Sequence, residues 1–307
     1  MRRVPFAGWP LVRWLLRLTI VAGVVATSLP VSAGAATDGA TNTRLPVVAA
    51  FYPIAWAVQQ VGGPHVRVEN LTPVGAEPHD LELSTDQRDA VEDAAVAYVL
   101  GGGFQPAVEA AAATRDGPTV ELLDHLGARS NTRDPHVWLD PRLMARIVAT
   151  VATTLGRADP EHRADFTKRA AAVTAALADL DERYRTGLAD CRHHTIVTSH
   201  EAFGHLARAY GFRQVGVAGI SPDAEPDARR LGQLADLVRA RGITTVFTED
   251  LVSPRIARTL AREAGGVTTE VLSPLETLSA SQRRAHDDYL SVMDANLAKL
   301  RVALDCT

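Results

Sequence analysis

Short, largely apolar runs recur at residues 45–50, 95–100, 120–123, 195–198, 244–248 and 268–272, each followed by a turn or a stretch with helical spacing. Residues 66–71 and 215–220 add further extended segments. Strands that alternate with helices leave few choices, because the crossover helices must cover both faces of a parallel sheet. Between the two series lies a different pattern. Phe166, Ala170, Val173, Leu177, Leu180, Tyr184 and Leu188 fall at steps of three or four. That is one apolar stripe on a helix of about 28 residues, roughly 40 Å long. The expected architecture is therefore α/β: two lobes, each a mainly parallel sheet flanked by helices, joined by a long rigid linking helix. Residues 45–158 and 190–307 form the lobes, and residues 159–189 the link.

Local signals fix several helix ends. Ser84 is an N-cap, Asp140 with Pro141 opens a helix running to about Gly156, and Gly211 stops one after Tyr210. The last helix is expected to run unbroken over residues 281–304.

The first 35 residues read as an export signal. Arg2, Arg3, Arg13 and Arg17 precede an apolar run from Leu18 to Val31, and Ala33-Gly34-Ala35 supplies small cleavage residues. Residues 36–44 form a polar tail expected to be flexible. No cysteine lies near the cleavage region, which argues against a lipid anchor there. Net charge is −4, which disfavours a nucleic-acid binder working by phosphate neutralisation. Cys191 and Cys306 are the only cysteines, and in an exported chain an even count points to a disulfide. It would pin the last helix to the start of the second lobe.

His79, His136 and His200 each lie in a short polar loop, and His79 and His200 follow strand-like runs. Ligands of α/β proteins collect at the carboxyl ends of strands. Three neutral imidazoles meeting there suit a borderline-soft divalent ion, zinc before manganese. Asp134 and Asp140 flank His136, and a carboxylate can take the second ring N–H of a ligating histidine and fix its tautomer. Glu249 ends another strand and is a candidate fourth ligand, an outer acceptor or a helix cap. There is no HExxH, no phosphate-binding loop and no nucleophile elbow.

The segments Glu77-Pro78-His79-Asp80, Asp134-Pro135-His136-Val137-Trp138-Leu139-Asp140-Pro141, Ser199-His200-Glu201-Ala202-Phe203 and Thr248-Glu249 resemble the metal-binding solute receptors of ABC importers. The resemblance covers about residues 45–305 and implies metal held between two lobes. His79, His136 and His200 match the family's histidine positions. Manganese members tend to carry a carboxylate where His200 stands, so the chain resembles the zinc branch. The family usually places an aspartate ligand after the last strand, where this chain has Ser273, which leaves Glu249, Glu276 or water as the fourth donor. The resemblance implies a monomeric, extracytoplasmic receptor that is not an enzyme and that passes its metal to an ABC permease. It permits a side role in cell adhesion. Two readings compete with it: a manganese receptor, and a zinc hydrolase using three histidines, water and Glu249 as base. If the imidazoles titrate near 6.5, zinc binding should weaken below about pH 6.

Overall fold

The computed structural model describes residues 44–127, 134–222, 226–251 and 253–307. The expected export signal, and the tail except Arg44, lie outside the described residues. The first lobe runs β1 (Leu45–Ala49), α1 (Tyr52–Gly62), a 3-10 turn at Gly63–His65, β2 (Val66–Asn70), α2 (Thr85–Asp93), β3 (Val96–Val99), α3 (Pro106–Thr114), β4 (Thr119–Glu121) and α4 (Leu122–His125). A 3-10 turn at Val137–Leu139 leads into α5 (Pro141–Ala158) and α6 (Arg163–Gly187). The second lobe runs β5 (Thr195–Thr198), α7 (Gly204–Tyr210), β6 (Arg213–Gly216), α8 (Ala228–Arg241), β7 (Thr245–Thr248), α9 (Arg255–Glu263), β8 (Thr268–Val271), α10 (Ala280–Arg284) and α11 (Tyr289–Leu304).

Both sheets are wholly parallel and share one topology, β2-β1-β3-β4 and β6-β5-β7-β8. In each, the chain steps to one side and then crosses over the first strand to build the other side. The strand order thus reverses between β1 and β3, and between β5 and β7. Crevices at those reversals are where loops splay apart and ligands fit.

The long stripe forms as its spacing requires. α6 has 25 residues and buries Phe166, Ala170, Leu177, Leu180 and Tyr184. It packs on α5 and α1 at one side and on α11 at the other, and the Tyr184 hydroxyl donates to the Met293 carbonyl at 2.7 Å. Each fully buried leucine on that face contributes about 1.5–3 kcal/mol. One apolar core continues from Val47 and Val96 through Leu180 to Phe247, Leu272 and Met293, so the two sheets share it. A smaller, separate core around Val197, Leu234, Val246 and Leu260 lies beneath α8 and α9.

Cys191 and Cys306 are disulfide-bonded across 115 residues. In the chain-entropy account a loop of that size is worth about 4–5 kcal/mol. The last helix departs from expectation. It is two helices, because His286 takes a left-handed conformation with φ 58°. Asp288 then starts α11 with a capping box to Ser291. Two adjacent aspartates, Asp287 and Asp288, were the available sign of that restart.

Candidate metal centre

His200 follows β5 and Glu249 follows β7, so the strand-order reversal of the second sheet sets them side by side. The Glu249 carboxylate accepts from the His200 backbone N–H at 3.0 Å and from its Nδ1 at 2.5 Å. The His200 carbonyl is held in turn by Thr198 Oγ1 at 2.6 Å and Gln214 Nε2 at 2.8 Å. These bonds fix the ring with Nε2 facing inward.

His136 is held by the same device on a different element. Asp134 Oδ1 accepts from His136 Nδ1 at 2.9 Å and from its backbone N–H at 3.1 Å. His205 Nε2 donates to the Asp134 carbonyl at 3.0 Å and thereby steadies that loop. His205, five residues past His200, is not required by its spacing to share a face with it, and it turns toward Asp134. Asp140, the other carboxylate beside His136, points away. It caps α5 by accepting from Arg142 N at 2.9 Å and pairs with the Arg142 guanidinium. The geometry thus gives His136 one carboxylate partner where the sequence offered two.

His79 sits in the proline- and glycine-bearing loop between β2 and α2. Its ring lies edge-on to Phe104, 4.4 Å between centroids. Among the described residues no carboxylate is bonded to its Nδ1.

The three Nε2 atoms converge. Those of His136 and His200 are 3.3 Å apart. Glu276 Oε1 stands 3.5 Å from His79 Nε2, 3.4 Å from His136 Nε2 and 3.5 Å from His200 Nε2. One donor atom from each of these four residues lies within 4.8 Å of the others. Tetrahedral zinc with bonds near 2.0–2.1 Å sets its donors about 3.3 Å apart. His79 Nε2 and Glu276 Oε1 are buried without a hydrogen-bond partner, a costly state for polar atoms unless a cation satisfies them. Glu249, the tentative fourth donor, sits instead on the far edge of the His200 ring. Glu276 is the carboxylate that faces the imidazoles. It reaches them because Leu275, fully buried, takes φ 57° and turns the chain inward. A left-handed leucine has no sequence signature, and that is why Glu276 ranked no higher than Glu249 and water.

The electrostatics follow from burial and pairing. Burial alone would push the His200 imidazole down. Its bond to Glu249 and the Glu276 carboxylate 3.5 Å away overcome this and carry it up to about 10. His136 is likewise raised, with burial opposed by Asp134 and Glu276. Burial would raise the Glu276 carboxyl, but three imidazoles hold it well below the usual carboxylate range. Asp134 is lowered, its bond to His136 outweighing burial. Without metal, the His136 and His200 imidazoles are therefore biased toward their protonated forms by the buried carboxylates beside them.

Fold and donor set together define a two-lobed α/β protein with a closed, nitrogen-rich cation pocket at its strand ends. The model of the family described as ZnuA, zinc-uptake complex component A, periplasmic, matches residues 47–303, and the chain belongs to that family. The zinc-binding lipoprotein AdcA of Streptococcus pneumoniae is 33% identical over 282 residues, covering 85% of this chain and 56% of AdcA. The chain thus spans about half the length of the AdcA relatives it matches. The high-affinity zinc uptake system protein ZnuA of Bacillus subtilis is 31% identical over 282 residues, covering 85% of this chain and 88% of that protein. The crystal structure of the Zn(II)-bound ZnuA-like domain of S. pneumoniae AdcA matches with a TM-score of 0.73 at 33% identity. It covers 85% of this chain and 99% of that domain.

Proposed function

We propose that this protein is an extracytoplasmic solute-binding protein that captures Zn2+ between its lobes and delivers it to the permease of an ABC importer. His79, His136, His200 and Glu276 are the proposed donors, and Asp134 and Glu249 orient the two buried imidazoles. The observation that carries this reading is the convergence of three Nε2 atoms and one carboxylate oxygen within 4.8 Å. Three imidazoles favour zinc over manganese, which prefers oxygen donors. A hydrolase needs a coordination position for water, and four protein donors fill a tetrahedral ion. The protein is accordingly a carrier and not an enzyme. All four proposed donors come from one chain, so zinc capture by a monomer needs no second copy. The zinc-binding names of its relatives agree with this reading.

Zinc titration by calorimetry tests it. One Zn2+ should bind per chain, tightly, with Mn2+ unable to displace it. The Glu276→Ala variant should bind roughly 100-fold more weakly, as loss of one donor in four from a total near 10–16 kcal/mol requires. Unchanged binding in that variant would remove Glu276 from the donor set.

A further inference from the structure

We infer that Trp138 is a positioning residue whose indole N–H, through the Pro274 carbonyl, holds the Glu276 carboxylate among the imidazoles. The inference rests on Glu276 being a zinc donor, as proposed above, and adds the device that keeps it in place. Glu276 hangs on the segment Ser273-Pro274-Leu275-Glu276. A non-glycine residue in the left-handed region costs about 1–3 kcal/mol, so the Leu275 turn persists only while its neighbours hold it.

Two groups do so. Asn296 grips Ser273 on both sides, its Oδ1 accepting from Ser273 N at 3.0 Å and its Nδ2 donating to Ser273 O at 2.8 Å. Trp138 Nε1 donates to Pro274 O at 2.7 Å. Asn296 belongs to α11 in the second lobe, whereas Trp138 stands two residues after His136, in the segment that joins the first lobe to α5. One short segment thus presents an imidazole and fastens the carboxylate that faces it. The aim of the indole is itself fixed. Its ring meets Phe51 edge-on at 4.8 Å and Phe104 at 5.5 Å, and the Tyr289 hydroxyl donates to the Trp138 carbonyl at 2.5 Å. Trp138 is 1% exposed, so water does not replace the bond when it is lost. Pro274, lacking a backbone N–H, offers this face of the loop its carbonyl alone.

A double-mutant cycle tests the inference, with zinc affinity and dissociation rate measured against a chromophoric chelator on the full chain. Trp138→Phe keeps an aromatic ring and removes the donor. In the wild-type background it should weaken zinc binding about tenfold, mainly through faster release, the low end of what loss of an outer orienting partner costs. In the Glu276→Ala background the same change should have no further effect, because the group it acts through is gone. Tyr289→Phe, a smaller change that leaves the indole in place, should give the same pattern at about threefold. Equal losses with and without Glu276 would mean that Trp138 merely supports the fold, and the inference would be overturned. So would an unaltered affinity in Trp138→Phe. A Glu276→Ala variant with wild-type affinity is a separate failure, that of the donor set itself, and takes the inference with it.

Discussion

His200 and His79 offer the same atom to the same point, yet they are held in opposite ways. His200 lies at a sheet's strand-order reversal, fully buried, between the Glu249 and Glu276 carboxylates. His79 rides on a loop of prolines and a glycine, partly exposed, with Phe104 as its packing neighbour. The difference separates two tasks that a ligand can have. One donor belongs to the framework, and its loss disturbs the protein before any metal arrives. The other is an addition to a framework that stands without it.

Alanine substitutions sharpen this contrast most. Either His200→Ala or His79→Ala removes one zinc donor and should weaken binding by at least about 100-fold. Their effects on the metal-free protein should diverge. His200→Ala leaves the buried Glu249 carboxylate without its imidazole partner and takes one of three imidazoles from Glu276, a loss of about 3–5 kcal/mol. His79→Ala should cost about 1 kcal/mol or less, as changes at a partly exposed loop residue do. Chemical denaturation of the two metal-free variants measures this, and equal destabilisation would break the comparison.

The pH response is the next lever. The simple expectation, that binding weakens below about pH 6, rests on imidazoles near their ordinary 6.5. Raised to about 10 in the folded, metal-free pocket, His200 holds a proton through neutral pH. Zinc must displace that proton, so affinity should climb with pH below about 10, by at least one log unit per pH unit since the His136 imidazole is raised as well. The sign for stability is the reverse. A group raised on folding stabilises the metal-free protein fully below its unfolded value, near 6.5, and loses that contribution as pH rises through 10. Alkaline titration should therefore loosen the empty protein while it tightens the zinc complex. Calorimetry in buffers of different ionisation heat reads the released proton directly. Zinc uptake without proton release at pH 7.5 would contradict the raised imidazole.

How much of this was legible in the sequence depends on what each feature needs. The two parallel sheets and the α6 stripe were legible because hydrophobic period and segment length are local properties. The neighbourhoods of His79, His136 and His200 were legible because strand ends and proline loops announce themselves. Asp134 stood two residues from its partner and was visible for that reason. The bond between Glu249 and His200 spans 49 residues and exists only because β5 and β7 are adjacent in the sheet. Sheet order is not written in either segment, so Glu249 stays open in the sequence between donor, outer acceptor and helix cap, and its geometry is that of the outer acceptor. Glu276 depended on a single backbone torsion at Leu275, which lies below the reach of pattern reading.

The smallest effects separate the two carboxylates that flank His136. Asp134 fixes the ring, and Asp134→Asn keeps its shape while removing its charge. Loss of such a partner should weaken zinc binding about 10-fold, at the low end for an outer carboxylate because the amide oxygen still accepts the ring N–H. Asp140 also lies close to His136 along the chain, four residues on, but not in space, since α5 takes its oxygens. Asp140→Ala should cost about 1 kcal/mol of stability through the lost cap and leave zinc affinity unaltered. If Asp140→Ala lowers affinity as far as Asp134→Asn does, the His136 ring is sensitive to the start of α5 as a whole. Its orientation would then be a property of the segment and not of one hydrogen bond.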